Sequence, residues 1–499
     1  MNILHSWISR WLLSGVLLGI GFMFPPTWIL GLVGAIYFLY LLQQDFLFWK
    51  KMLGAWLAWT IKVAFSVSWM WSVYPVEWLP LELSDVQLVV IGFSWFMTAV
   101  TAGMGVLFLV GISELLHRKT DLPRWSYYVL LYPLLWVIAE SVGSVIFSIF
   151  FYGPGGTIGS AFSFGYVGYL LAHHEGLLFI AKVAGVYGLT ISLLCVAGVS
   201  LWCLEQYPKY RYVVLITVVM LSGSSFLFIP EIVIPATNAT YSVITIDTHF
   251  DANTVRTEAG RKQATEGLEA AMEKALAKDP DYIILPEDSR YFDQTVPLST
   301  TKANFKKKYS ESDVIIVDSG RSVYNKETVL QAFIYNGSEN PVERYHKQYL
   351  VPQGEFIPNI YRILFQLVGY SGSLEYLSET ISYRVGPWTS QKEAGEKTPG
   401  ILFCFESFAP RGIKTLVEER LQMPFVAHIA SHAWFHTPYT LWSQMELMLQ
   451  VQAVWSKQYM VSVGNMMSGK LYTPDGSIEE MEVIEKGEGW EMKQVYIPM

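Results

Sequence analysis

Apolar runs dominate the first 230 or so residues, at about 11–24, 27–43, 52–73, 88–116, 125–151, 177–203 and 211–229. A hydrocarbon core about 30 Å thick takes roughly 20 helical residues to cross, and each run is that long or nearly so. The pattern predicts a membrane domain of seven transmembrane helices over residues 1–230. The first two runs meet at Pro25-Pro26, which interrupts the helix and predicts a tight hairpin. No small-residue cleavage signal follows the first run, so it is expected to stay as an anchor.

From Tyr241 the rhythm changes to short β-branched runs alternating with polar helical stretches. Tyr-Ser-Val-Ile-Thr-Ile is followed by a helix around 257–278 and then by Asp-Tyr-Ile-Ile-Leu-Pro. Similar runs recur at Asp-Val-Ile-Ile-Val-Asp, Val-Leu-Gln-Ala-Phe-Ile-Tyr, Gly-Ile-Leu-Phe-Cys-Phe and Phe-Val-Ala-His-Ile-Ala-Ser. This predicts an α/β domain with one core over 238–499. The 359–399 region lacks the rhythm and is expected to form loops and arms over that core. Its Phe365, Leu367 and Tyr370 suggest a lid or membrane contact, or else ordinary packing beneath the loop.

Charge gives the membrane domain an orientation. Arg10, Lys50, Lys51, Arg118, Lys119, Arg124, Lys209 and Arg211 fall at the N-terminus and in every second connection. The alternate connections carry Glu77, Glu82, Asp85 and Glu175 and no Lys or Arg. The positive-inside rule then puts the N-terminus in the cytoplasm, and an odd number of crossings puts everything after residue 230 on the outer face. Within or near the spans, Lys62, Glu140 and Lys182 must pair inside the bundle, reach an interface or serve function. The net charge of −8, with no basic stripe, excludes a nucleic-acid surface.

Of the three cysteines, Cys195 and Cys203 share one apolar run, and no disulfide framework is suggested. Cys404 ends a strand-like run in a polar region, where a thiol is either inert and buried or a nucleophile. Glu287, in Leu-Pro-Glu-Asp, and Lys347, in Tyr-His-Lys-Gln, also stand at the ends of strand-like runs. Strand ends project side chains into clefts while the sheet holds the backbone. Each residue alone would pass as a surface charge or a core thiol. Together they make a Glu, Lys, Cys set suited to acyl transfer through a thioester.

Leu-Pro-Glu, Tyr-His-Lys-Gln-Tyr-Leu-Val-Pro-Gln-Gly-Glu-Phe-Ile-Pro, Phe-Cys-Phe-Glu and Ser-His-Ala-Trp-Phe make the chain resemble the apolipoprotein N-acyltransferases, membrane-bound members of the nitrilase superfamily. The resemblance implies a nitrilase-like α-β-β-α sandwich on a multi-span α-helical membrane bundle. It implies that Glu287 is the general base, Lys347 the oxyanion and thiolate stabiliser, Cys404 the nucleophile, and Glu355 a supporting carboxylate. The backbone amide of Phe405 would be a second oxyanion donor. Glu406, Trp434 and Phe435, from the same motifs, would contact substrate, as would Phe365, Leu367 and Tyr370. The implied partners are a phospholipid acyl donor and a diacylglyceryl-modified apolipoprotein, with no cofactor and no metal. The implied place is the bacterial inner membrane, with the catalytic domain in the periplasm. The chain departs from the family at Phe405, at His432, at Asp247-Thr248-His249 and in its C-terminal segment, where no eighth span is expected. Two other readings stand beside this one: a membrane-tethered amidase or nitrilase acting on a small amide, and a non-catalytic binding or scaffold protein.

Overall fold

The computed structural model describes residues 6–76, 85–207, 209, 239–292, 303, 313–336, 343–387, 396–419, 423–436 and 438–499. The helices of the N-terminal bundle are α1 (Trp7–Met23), α2 (Trp28–Leu42), α3 (Phe48–Ser66), α4 (Gln87–Gly103), α5 (Gly105–Lys119), α6 (Tyr132–Phe150) and α7 (Ala181–Gln206). Four stretches, Pro25–Leu42, Gln87–Lys119, Arg124–Phe150 and Glu175–Gln206, are long and apolar enough to cross a membrane by length and composition. Trp7–Met23 is a shorter apolar helix. The run expected at 211–229 lies outside the described residues.

Three runs differ in detail from a straight span. The 88–116 run is two helices that meet at Met104. The 52–73 run leaves the α-helix after Ser66 and continues as a 3-10 turn, Ser68–Val73. The third, α7, kinks at Ala184-Gly185, where Gly185 has φ +56°, a left-handed conformation that costs a residue without Cβ little. A Cβ there would also sit 2.5 Å from the Trp455 ring, so this glycine admits a side chain from the sheet domain.

Lys62 of α3 and Glu140 of α6 meet inside the bundle, Nζ to Oε1 3.1 Å, both side chains 2% exposed. The carboxylate also accepts hydrogen bonds from Trp136 Nε1 (3.0 Å), the Val167 backbone N–H (3.0 Å) and Thr190 Oγ1 (3.4 Å). Lys62 further lies 4.0 Å from the centroid of the Trp59 ring. One carboxylate therefore joins α3, α6, α7 and the loop before α7. Of the readings open for these charges, pairing within the bundle is what the structure has.

The sheet domain contains β1 (Thr240–Thr248), α8 (Glu258–Leu276), β2 (Tyr282–Ile284), β3 (Ile315–Tyr324), β4 (Glu327–Asn336) and β5 (Glu343–His346). It continues through α9 (Asn359–Leu367), α10 (Ser371–Thr380), β6 (Tyr383–Arg384), β7 (Gly400–Phe403), α11 (Pro410–Glu419), β8 (Val426–Ser431) and α12 (Tyr439–Ser456). The last strands are β9 (Met460–Asn465), β10 (Lys470–Tyr472), β11 (Ile478–Glu480), β12 (Glu482–Gly487) and β13 (Trp490–Pro498). In one half, β1, β2 and β3 run parallel, β4 and β5 follow antiparallel, and β13 pairs along the whole of β1. In the other, β7, β8 and β9 run parallel. The halves join through β1 and β9 at Thr248 and Asn465.

Alternation along the strands makes the layers. Val243, Tyr282, Ile284, Ile315 and Val317 meet Phe403, Ala427, Ile429, Val461 and Val463 in a buried core between the two halves. Their neighbours Ile244, Ile246, Ile283 and Ile316 point the other way, onto Leu268, Ala271, Met272 and Ala275 of α8. On the opposite side α11 and α12 cover β7 to β9 and share one hydrophobic core with the bundle. The result is an α-β-β-α sandwich with one helical layer set against the membrane helices. The expectation of loops over 359–399 fails at 359–380, which forms α9 and α10. An amphipathic pattern carries α9, with Tyr361 and Phe365 buried and Ile363 and Leu367 exposed.

Removing one partner of a buried ion pair costs about 3–5 kcal/mol because the other charge is stranded. Lys62→Met should therefore lower the thermal unfolding midpoint of the purified protein much more in the wild-type background than alongside Glu140→Gln. Equal losses in both backgrounds would show that the two side chains are not coupled.

Candidate active site

The sheet brings three strand ends together. Glu287 follows β2 on a segment clamped by one residue of β3: Ser319 Oγ donates to Pro286 O (3.1 Å) and accepts from Asp288 N–H (3.0 Å). Lys347 follows β5, and its own N–H continues the ladder to Leu330 O at 2.9 Å. Cys404 follows β7 and opens a 3-10 turn, Cys404–Phe408, in which Ser407 Oγ donates to Cys404 O at 2.6 Å.

Lys347 Nζ lies 2.8 Å from Glu287 Oε1 and 2.6 Å from Glu355 Oε1, and the lysine side chain is 1% exposed. Glu355 is held in turn by the Val351 N–H on its second oxygen, at 2.7 Å. Two carboxylates thus share one ammonium in a dry site. Burial lifts the Glu287 carboxyl to about 7; Lys347 opposes the rise and Glu355 adds to it. For Lys347 burial acts to remove the charge, but Glu287 and Glu355 outweigh it and hold the ammonium protonated. The Cys404 thiol is pushed up to about 12, first by burial and then by the Glu287 carboxylate, with Lys347 pulling the other way. At rest Cys404 is therefore a thiol beside a carboxyl poised near neutrality, and the two protonation states belong to the set.

Glu406 is placed differently from its expected role. It is not among the residues lining the cleft around Cys404. Its carboxylate accepts the N–H groups of Gln348 (2.6 Å) and Phe403 (3.0 Å), so one side chain ties the residue after Lys347 to the residue before Cys404. Burial raises this carboxyl and the backbone amides oppose the rise.

Glu287, Lys347, Glu355, Cys404 and Phe405 line one cleft together with Trp434 and Phe435. It encloses about 1360 Å³ of empty space, its open mouth included. Phe365, Leu367 and Tyr370 do not line it: Phe365 is buried in α9, Leu367 at its end is 80% exposed, and Tyr370 lies between α9 and α10.

The far wall comes from the membrane domain, through Trp69, Met70, Val73, Val76, Val90, Ile91 and Ser94. Hydrogen bonds fix it to the sheet domain, among them Gln444 Nε2 to Ser66 O (2.7 Å), His436 N–H to Ser72 O (3.0 Å), and the Ser94 and Tyr361 hydroxyls to each other. Sequence reasoning missed this wall, along with Arg321, which donates to Asp288 Oδ2 at 2.9 Å at the cleft. The signal for the wall was the aromatic Trp69-Met70-Trp71 cluster where the third apolar run fades, read there as part of a span. Among the described residues no group of His, Cys, Asp and Glu is arranged to hold a metal ion.

These features define a class: a membrane-bound α-β-β-α domain with a buried carboxylate, amine and thiol facing an apolar cleft. The chain resembles apolipoprotein N-acyltransferase from Aquifex aeolicus, with 25% identity over 210 residues, 42% of this chain. The match spans 44% of that relative's length. Similar solved structures include a glutamine-dependent NAD+ synthetase from Acinetobacter baumannii, with TM-score 0.35, 13% identity, 52% of this chain and 48% of that one. Another is a CN-hydrolase superfamily protein from Xanthomonas campestris, with TM-score 0.34, 12% identity, 52% of this chain and 91% of that one. No protein-family model matches the chain.

A hydrogen bond to a charged group contributes about 1.5–3 kcal/mol, and Glu406 accepts two on one carboxylate. Glu406→Gln turns an NH2 group toward one backbone N–H. It should lower the unfolding midpoint and speed alkylation of Cys404 as the turn loosens. A variant unchanged in both measurements would show that Glu406 is no brace.

Proposed function

We propose that this protein moves an acyl chain from a membrane phospholipid to an amine by way of a thioester on Cys404. The observation that carries the reading is the composition of the cleft. Its polar end holds Glu287, Lys347, Glu355 and Cys404, and its opposite wall is apolar surface from the membrane bundle. A small soluble amide has no use for such a wall, whereas an acyl chain would lie along it.

In the first half-reaction Glu287 takes the thiol proton as Cys404 Sγ attacks the ester carbonyl carbon. The carbonyl oxygen becomes an oxyanion facing the Lys347 ammonium and the Phe405 backbone amide. The C–O bond then breaks, Glu287 returns its proton to the departing alkoxide, and lysophospholipid leaves an acyl thioester. In the second, Glu287 accepts a proton from an incoming amine that attacks the thioester carbon. The C–S bond breaks, an amide forms, and the thiolate recovers the proton. The acceptor we propose is the α-amine of the diacylglyceryl-cysteine of an exported lipoprotein. Both substrates are then held by a bilayer, which gives the anchor its purpose. We propose also that the chain is a multi-pass protein of the bacterial inner membrane, with a cytoplasmic N-terminus and this cleft on the outer face.

Purified protein in bilayers containing acyl-labelled phospholipid should trap a hydroxylamine-sensitive label, and Cys404→Ala should trap none. Label on the alanine variant would refute the assignment. Lys347→Ala, checked for folding, should slow trapping about a hundred- to a thousandfold, the usual weight of one oxyanion donor.

The pH dependence follows from Glu287. Its base form grows as pH rises through about 7, so trapping should rise across that value. Glu287→Gln should be slow and flat over the same range. A wild-type rate independent of pH between 6 and 8 would remove Glu287 as the base.

A further inference from the structure

Arg321 lines the cleft with its side chain 37% exposed. Its Nη2 donates to Asp288 Oδ2 at 2.9 Å, and the guanidinium carbon lies 4.9 Å from the centroid of the Tyr383 ring. Nε is enclosed, whereas Nη1 is open and has no partner among the described residues. Tyr383 also lines the cleft, and its hydroxyl is likewise open and unpartnered among the described residues.

The carboxylate that Arg321 touches is already matched. Arg290 grips Asp288 with a two-bond fork, Nε to Oδ1 and Nη2 to Oδ2, both 2.7 Å. The other carboxylates nearby are committed elsewhere: Glu287 and Glu355 to Lys347, and Glu327 to Arg384. Asp318 accepts from Ser289 Oγ and from the Tyr291 and Phe292 amides. Arg321 is thus a second cation on a carboxylate that one cation satisfies. Asp288 and Arg290 both hold left-handed backbone, φ +62° and +51°, which is unfavourable without glycine, and this turn puts the pair directly beside Glu287.

Water can meet the open guanidinium edge while the cleft is empty. An acyl lipid filling the apolar part displaces that water, and the lipid itself must then satisfy the charge. Two N–H groups in one plane fit two oxygens of a phosphate, and a phenol O–H can donate to a third position. On the lipid-acyltransfer reading, donor and acceptor both bring acyl chains and a glycerol, so the apolar wall alone does not tell them apart. The phosphate is carried by the donor, a few bonds from the ester that Cys404 attacks.

We propose that Arg321, with the Tyr383 hydroxyl, binds the phosphodiester of the acyl donor and so selects glycerophospholipid over uncharged glycerolipid, a specificity role that rests on the lipid-acyltransfer reading and adds to it. Arg290 is a positioning residue, holding the Asp288 carboxylate that orients Arg321.

Equilibrium binding to full-length Cys404→Ala protein in detergent micelles, where no thioester forms, separates the phosphate from the chains. The probes are dioleoyl phosphatidylmethanol, dioleoylglycerol and inorganic phosphate. Arg321→Gln should bind the phosphatidyl probe about ten- to a hundredfold more weakly than the parent and bind dioleoylglycerol equally well. Tyr383→Phe, which keeps the ring against the guanidinium, should lose about three- to tenfold on the phosphatidyl probe alone. Inorganic phosphate in molar excess should leave the bound lipid in place, because the chains supply the rest of its affinity.

Unchanged binding of the phosphatidyl probe to Arg321→Gln would overturn the proposal. So would an equal loss on both lipids, the mark of an arginine that only braces the Glu287 turn. Displacement of the lipid by inorganic phosphate would assign the edge to free phosphate and overturn it too. Should Arg321→Gln fail to fold, Arg321→Lys, which keeps a cation on Asp288 but gives up the fork, must show the selective loss. Failure of the wider reading looks different: the parent binds neither lipid, wild type forms no thioester, and the phosphate assignment falls with it.

Discussion

The sheet domain is organised around one buried ammonium. Lys347 sits between Glu287 and Glu355, and a charge that dry is tolerable only because both carboxylates are within hydrogen-bond reach. The constraint runs outward from there. Glu287 needs Ser319 to clamp its backbone, Glu355 needs the Val351 amide, and the neighbouring turn needs Glu406 to hold it against Cys404. Three strands distant in sequence must therefore end at one level. Burial, with Glu355 competing for the same cation, leaves the Glu287 carboxyl near neutrality, and this is the electrostatic condition for a base at ordinary pH.

A second dependence couples this centre to the membrane helices. Ser163, in the loop before α7, donates to Phe408 O at 2.7 Å, and Gln452 of α12 donates to Ser407 O, so both sides of the interface hold the Cys404–Phe408 turn. The same loop supplies the Val167 N–H to Glu140, which is paired with Lys62. A continuous set of polar contacts thus runs from inside the bundle to the turn carrying Cys404. Close packing of α4 on α6 belongs to the same framework, since a Cβ on Gly143 would meet Ala102 O at 2.2 Å. The cleft wall from the turn after α3 and from α4 is fixed because the elements bearing it are locked to the sheet domain.

What could be known from the chain alone was what repeats along it or sits next to something that does. Apolar runs, β-branched strand runs and a helix around 257–278 follow from local pattern; the described residues hold four stretches long and apolar enough to cross a membrane, and a helix at Glu258–Leu276. Glu287, Lys347 and Cys404 were legible as candidates because each directly follows a β-rich run. Tertiary structure decided everything that depends on two distant segments meeting. Lys62 finds Glu140 across 78 residues, and Lys347 is shared with Glu287 across 60. Glu406 stands two residues from Cys404, yet its role became visible only through the amides it accepts. The short helix 359–367 was hidden because nine residues offer little more than two turns of pattern, and its face is set by docking Tyr361 against Ser94 and Phe93. For His432 the sequence specifies only an imidazole; which nitrogen holds the proton is decided by an indole ten residues away that can only donate.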